Sequence, residues 1–221
     1  MGSPQDPRLP EVLLTVPHAL CPPRYVEPPA HPCDWTAWDS ALLLAAALEA
    51  TGDVVPVLAP ADVPRFVCDL NRARCRDTPY RRRVRRHLRE RRGVATLVLD
   101  VHSFPAEYEG FGDVPLAVLD DVGRGARRPS ALGASLARWM DDAGVPMNLL
   151  PGVYNDIQDE ARYSLGVPAL LLEFNEGIAG TAYARRIARE IAAWAAALLG
   201  DRPLRPPTRR SSDGDDDDKG R

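Results

Sequence analysis

Two short apolar runs that end in histidine constrain this chain more than any other feature. Leu97-Val98-Leu99-Asp100-Val101-His102-Ser103 is a stretch of branched apolar residues that turns abruptly into a carboxylate, an imidazole and a hydroxyl. Val12-Leu13-Leu14-Thr15-Val16-Pro17-His18 closes in the same way. Runs of this length and composition suit buried strands. In open α/β sheets ligands bind beyond the carboxyl ends of strands, which places both imidazoles at a functional edge. The chain has only four histidines, and two of them are spent here.

The intervening segments alternate between helix and strand patterns. Residues 21–33 carry five prolines and are expected to form a loop. A helix is expected over 35–50, a strand over 53–58, and a short strand or extended segment over 66–72. Thr78-Pro79 supplies a cap and a first helical position for a helix over 78–92. Strands follow over 115–119, 145–150 and 168–174, with a helix over 130–143. In the last helix, 181–199, Tyr183, Ile187, Ile191, Trp194 and Leu198 recur at helical spacing as a core-facing stripe. Alternation of this kind predicts a single-domain α/β fold, a mixed and mostly parallel sheet flanked by helices. The domain is expected over 11–200, after a flexible lead-in at 1–10. Residues 201–221 lack the apolar content to order themselves, and Asp213 to Lys219 resembles an engineered cleavage or tag sequence.

Composition narrows the function classes. No run of about 18 uncharged apolar residues exists, which argues against a membrane span. Met1 to Asp6 lacks a charged-then-apolar leader pattern, which points to a cytoplasmic protein. Cys21, Cys33, Cys68 and Cys75 form no CxxC pair, so a zinc knuckle is not indicated, and the thiols are read as reduced.

Neutral imidazoles fixed at strand tips are good zinc ligands, and a catalytic zinc takes three protein ligands and an open position. With His18 and His102 as two, the third comes from Asp34, Asp39, Cys21 or Asp100, and Asp34 fits best because its loop can face the strand tips. In Asp69-Leu70-Asn71-Arg72 the guanidinium of Arg72 suits a carboxylate, with the Asn71 amide beside it. Glu173 ends the apolar run Leu170-Leu171-Leu172, where burial would raise its pKa toward the range of general acid–base chemistry. Tyr154, Asn155, Asp156, Arg162 and Tyr163 precede that strand in a polar segment and are candidates for the same cleft. The arginine-rich stretch 81–89 raises nucleic-acid binding. A solvated helix face is the commoner explanation, and no aromatic interleaving supports the alternative.

Taken together, Val16-Pro17-His18-Ala19, Cys33-Asp34-Trp35, Asp69-Leu70-Asn71-Arg72, Asp100-Val101-His102-Ser103 and Leu172-Glu173 resemble the N-formylglutamate amidohydrolase family, which is related to the zinc carboxypeptidases. The match in order and rough spacing spans residues 11–199. The resemblance implies a phosphorylase/hydrolase-like fold with one catalytic zinc on His18, Asp34 and His102. It also implies Glu173 as the catalytic glutamate, with Asn71, Arg72 and Arg162 holding a substrate carboxylate. The activity implied is cleavage of an amide in a small carboxylate-bearing substrate, such as an N-formyl or N-acyl amino acid. A carboxypeptidase-like metallopeptidase is the rival reading. The chain departs from the carboxypeptidases by placing Cys21 where they carry a glutamate. It is also short between Arg72 and Leu97, which implies a more open pocket.

Overall fold

The computed structural model describes residues 9–20, 33–52, 55–59, 65, 67–121 and 127–200. Most of the lead-in, the proline-rich stretch with Cys21, and the tail 201–221 lie outside these residues. Six strands, β1 (Glu11–Thr15), β2 (Val57–Leu58), β3 (Thr96–Phe104), β4 (Leu116–Asp120), β5 (Asn148–Pro151) and β6 (Ala169–Asn175), form one sheet in the order β2-β1-β3-β6-β4-β5. All neighbours are parallel except β4 and β6, so the fold is a mixed, mostly parallel α/β sheet. The helices are α1 (Ala37–Glu49), α2 (Pro79–Glu90), α3 (Ala131–Asp142), α4 (Asp156–Asp159) and α5 (Ala182–Leu199).

Local chemistry accounts for the helix starts. Thr78, Ser130 and Thr181 each accept a hydrogen bond from the backbone N–H three residues on, and Pro79 occupies a position whose N–H has no helical partner. The strands then sort their side chains by period two. Val12 and Leu14 of β1, Leu97, Leu99 and Val101 of β3, and Leu170, Leu172 and Phe174 of β6 pack with α1, α3 and α5 in the larger core. Leu13, Val98 and Ala169 point to the other face, where they meet Tyr80, Val84 and Leu88 of α2 and Ile157 of α4.

Strand order makes the site. After β1 the chain passes through α1 to β2 on one side, then returns through α2 to β3 on the other side of β1. The two crossovers lie on opposite faces, so a crevice opens between the carboxyl ends of β1 and β3, the topological switch point at which open α/β sheets bind ligands.

Three local expectations are corrected. Residues 67–72 form turns rather than a strand, and lead into a short 3-10 turn at Ala73–Cys75. The polar segment before β6 is helical: α4, capped by the Asn155 side chain, runs into a π-helical stretch at Glu160–Ser164. The described cysteines are not reduced. Cys68 and Cys75 are bridged, with Cα atoms 6.0 Å apart, and Cys33 is disulfide-bonded as well. The turn that replaces the expected strand is what brings Cys68 and Cys75 within bridging reach. Disulfides persist where thiols are not kept reduced, so the cysteines lend no support to a cytoplasmic assignment. No helix among the described residues is long and apolar enough to cross a membrane.

The arginines of α2 are largely engaged within the molecule. Arg81 is fully buried and pairs with Asp156 and Glu160, both at 2.8 Å, while donating to the Leu70 carbonyl. Arg85 engages Glu160, and Arg83 the Ala59 carbonyl. Burial alone would raise the Asp156 pKa, but hydrogen bonds from Arg76 and Tyr154 and the charge of Arg81 outweigh it and hold the carboxyl below its usual range. Such a group stabilises the fold above the unfolded carboxyl pKa of about 4, and the contribution is lost as pH falls through the lower folded value. Asp156→Asn should therefore cost about 3 kcal/mol in urea unfolding at pH 7, and progressively less below pH 4. A cost that is the same at pH 7 and pH 2.5 would refute this account.

Candidate active site at the β1–β3 switch point

The period-two pattern that sends apolar residues to α2 near the start of β3 sends polar ones to the same face near its end. Val98, Asp100, His102 and Phe104 alternate along β3, and parallel pairing sets Thr15 beside Asp100 and Glu173 beside His102. His18 follows β1 in the turn over the same crevice. β3 itself runs through His102 and Ser103 to Phe104 instead of stopping at Val101, because β6 pairs with it from Val98 to that end.

The imidazoles of His18 and His102 stand edge to face, with ring centroids 4.7 Å apart. Their Nδ1 atoms converge on one carboxylate oxygen, Asp34 Oδ2, at 3.1 Å and 2.6 Å. All three residues are buried, and one ligand atom from each lies within 4.8 Å of the others. Each imidazole is backed at Nε2 by a second carboxylate: Asp69 lies 3.0 Å from His18, and Asp100 lies 3.1 Å from His102. Burial by itself would depress the pKa of His102, but Asp100 and Asp34 hold it well above the usual imidazole range. Burial opposes charge on Asp34 and Asp69 too, and the histidines facing them outweigh it and keep both carboxyls below their usual range.

The supports of this cluster come from many parts of the chain. Asp100 accepts from Thr15 at 2.6 Å and from Asn155 at 3.0 Å. Asp34 is held through its neighbours: the Thr36 N–H donates to Ser103 Oγ, the Trp35 N–H donates to Glu176, and Ser103 Oγ itself donates to Glu176. The bridge between Cys68 and Cys75 brackets Asp69, which backs His18, and Asn71, which braces the carboxylate behind His102. Arg65 donates to Asp34 Oδ1 at 2.7 Å.

A cleft of about 140 Å³ opens on the cluster, lined by Asp34, Arg65, Ser103, Phe104, Pro105, Tyr108, Phe111 and Glu173. Glu173 is the most exposed residue of β6, because it faces this cleft. Burial pushes its pKa from 4.5 up to about 8, against the opposing charge of His102. A carboxyl poised there can take and return a proton near neutral pH.

The sequence candidates separate clearly. His18, Asp34, His102 and Glu173 lie together. Asn71 is buried with its amide N–H donating to Asp100 Oδ2 at 3.3 Å, so it braces the carboxylate behind His102, while its Oδ1 lacks a hydrogen-bond partner. Arg72 is half exposed near the site, 3.5 Å from Asp69 and 3.3 Å from the Tyr154 carbonyl. Arg162 lies elsewhere: its guanidinium is 2.6 Å from both the Asp120 carboxylate and the Asp121 carbonyl. Those residues end β4, and β4 runs antiparallel to β6 with Ala117 opposite Glu173, so Asp120 sits about 10 Å along the strand from it. Tyr154, Asn155, Asp156 and Tyr163 do not line the cleft; they hold α4 and its neighbours in place. Among the alternative ligands, Asp39 is exposed on α1 and Asp100 sits behind His102, while Cys21 lies outside the described residues. Arg65, Asp69, Ser103 and Glu176 join the site beyond these candidates. Asp69 and Ser103 lie within the sequence motifs of Asn71 and His102, whereas Arg65 carries no local signal.

The described donor set fits a zinc ion. Ligands 2.0–2.1 Å from a tetrahedral ion lie about 3.3 Å from one another, close to the separations between Asp34 and the two Nδ1 atoms. Metal-binding histidines usually donate their other N–H to a carboxylate, and Asp69 and Asp100 stand in those places.

The fold has solved counterparts. Gene product Atu2144 from Agrobacterium tumefaciens is similar with a TM-score of 0.62 and 18% identity, covering 86% of this chain and 88% of that one. The N-formylglutamate amidohydrolase from Ralstonia eutropha JMP134 gives 0.48 and 14%, over 88% and 96% of the two chains. A succinylglutamate desuccinylase from Chromobacterium violaceum gives 0.48 and 14%, over 91% and 67%. No family model and no curated protein sequence matches the chain. At these identities the first likeness shows a shared fold, and the activities named for the other two proteins are theirs.

Two outcomes follow from the geometry. Because its folded pKa is raised, protonated Glu173 contributes stability that is fully present below about 4.5 and lost as pH rises to about 8. In chelator-treated protein, Glu173→Gln should raise the melting temperature by several degrees at pH 8 and leave it nearly unchanged at pH 4.5; a shift of equal size at both would count against the raised pKa. Replacing Cys68 and Cys75 by serine should weaken Zn²⁺ affinity about 10- to 100-fold, the scale seen when groups behind metal ligands are disturbed. Competition against a chelator measures this, and unchanged affinity would detach the bridged loop from the site.

Proposed function

We propose that this chain is a zinc-dependent amidohydrolase that cleaves the amide of a small carboxylate-bearing substrate, such as an N-formyl or N-acyl amino acid. The observation that carries the reading is the convergence of His18 Nδ1, His102 Nδ1 and Asp34 at the switch point, with Glu173 beside His102 on the same sheet face. His18, Asp34 and His102 would hold the ion, which when bound supplies a Lewis acid for the amide carbonyl and lowers the pKa of water.

The remaining chemistry belongs to the side chains. Glu173 takes the proton of the attacking water and returns it to the departing nitrogen, which its raised pKa and place in the cleft equip it to do. Arg65 uses one N–H to fix Asp34, and the rest of its fork is available to the negative charge that develops on the carbonyl oxygen. Arg72, half exposed beside Asp69, takes the substrate carboxylate and so turns binding into orientation. Arg162 has no part in this reading, since Asp120 and Asp121 occupy it.

The test is metal content together with turnover of a panel of N-formyl and N-acetyl amino acids. Wild-type protein should bind one zinc per chain and release free amino acid. His102→Ala should lose both. Glu173→Gln should keep its zinc while turnover falls about 10²- to 10⁴-fold. Full zinc content and full activity in His102→Ala would end the proposal.

A further inference from the structure

Amide hydrolysis at the cluster uses only the polar part of the cleft. The rest is an aromatic wall that the reaction does not require. Phe104, at the end of β3, packs edge to face on Phe111 with centroids 5.1 Å apart, and Phe111 packs the same way on Tyr108 at 4.9 Å. Pro105 completes the wall. It runs from a buried floor at Phe104 to an open lip at Tyr108, which is 3% and 43% exposed respectively.

The wall is built, not incidental. Asn148 of β5 donates to the Phe111 carbonyl at 3.1 Å, and the Tyr108 N–H donates to the Pro105 carbonyl at 2.9 Å. Gly110 permits the arrangement: a Cβ there would sit 2.6 Å from the Tyr108 ring. Gly112, at φ 74°, makes the turn that carries the segment back toward β4.

The lining of the cleft favours one class of side chain. An aromatic side chain entering here would find edge and face partners in Phe104, Phe111 and Tyr108 and leave water behind. An acidic one would give up its hydration against the same rings, and Arg65, the one cation of the described lining, is already bound to Asp34. We infer that this wall selects N-acyl amino acids whose residue beside the scissile amide is aromatic, an inference that rests on the amidohydrolase reading and deepens it.

The experiment compares kcat/KM of the zinc-loaded full chain for N-acetyl-phenylalanine and N-acetyl-glutamate, in wild type, Tyr108→Ala and Gly110→Ala. The second variant keeps every ring but displaces Tyr108, and melting curves confirm that both are folded. The aromatic substrate should be preferred about 10- to 100-fold, with the ratio falling toward unity in both variants. Equal or better turnover of the glutamate substrate, or a ratio that survives both changes, overturns the inference. If neither substrate is cleaved the hydrolase reading fails, and calorimetric binding of the same two compounds decides the wall separately. Tighter binding of N-acetyl-phenylalanine that is weakened in Tyr108→Ala upholds it, and no difference overturns it.

Discussion

The register of β3 against β1 and β6 is the constraint on which the rest depends. All nine residues of β3 are buried, so both faces of this strand are committed. A slip of one residue against its neighbours would turn Leu97, Leu99 and Val101 out of the larger core and drive Asp100 and His102 into it. The apolar packing of α1, α3 and α5 therefore fixes, at the far end of the same strand, which way the imidazole and the carboxylate behind it point. Packing energy spent on one face becomes positional accuracy on the other.

The site concentrates charge that the fold would otherwise avoid burying. Asp34, Asp69 and Asp100 surround two imidazoles, with Arg65 and Asn155 at the periphery. Desolvation disfavours each of these groups alone, and only their mutual pairing makes the cluster tolerable. Glu173 receives less compensation from His102 and Arg65 than its burial demands, and its raised pKa records this. A carboxyl left under-compensated in a cleft is a cost to stability and an asset to proton transfer, the exchange commonly struck at active sites.

The second half of the molecule works in support. Arg81, with no exposed surface, ties α2 to α4 through Asp156 and Glu160, and α4 begins at Asn155, which reaches Asp100. The arginine-rich helix is thus a clamp between the outer layer and the residues behind His102. Arg81 and Arg85 serve the interior by pairing with acids of the same chain, Arg82 and Arg83 donate to backbone carbonyls, and Arg86 and Arg89 stay on the exposed face of the helix.

The sequence alone determined the alternation of strands and helices, the tips at which His18 and His102 emerge, and the place of Glu173 at the end of an apolar run, where burial raises its pKa. These follow from local periodicity and from residue types that cannot be buried cheaply, both properties of contiguous segments. Only the tertiary structure decided that Asp34 rather than Asp39 meets the imidazoles, that Asn71 braces the carboxylate behind one of them, that Arg65 enters the cleft while Arg162 is held by Asp120, and that Cys68 and Cys75 join. Each of these depends on which segments a crossover brings together across tens of residues, and helical or strand periodicity carries no record of that. The helix at Asp156 escaped the pattern for a related reason: a single turn capped by Asn155 is too short to show a stripe, and it is stabilised by partners on α2 that the local sequence does not contain.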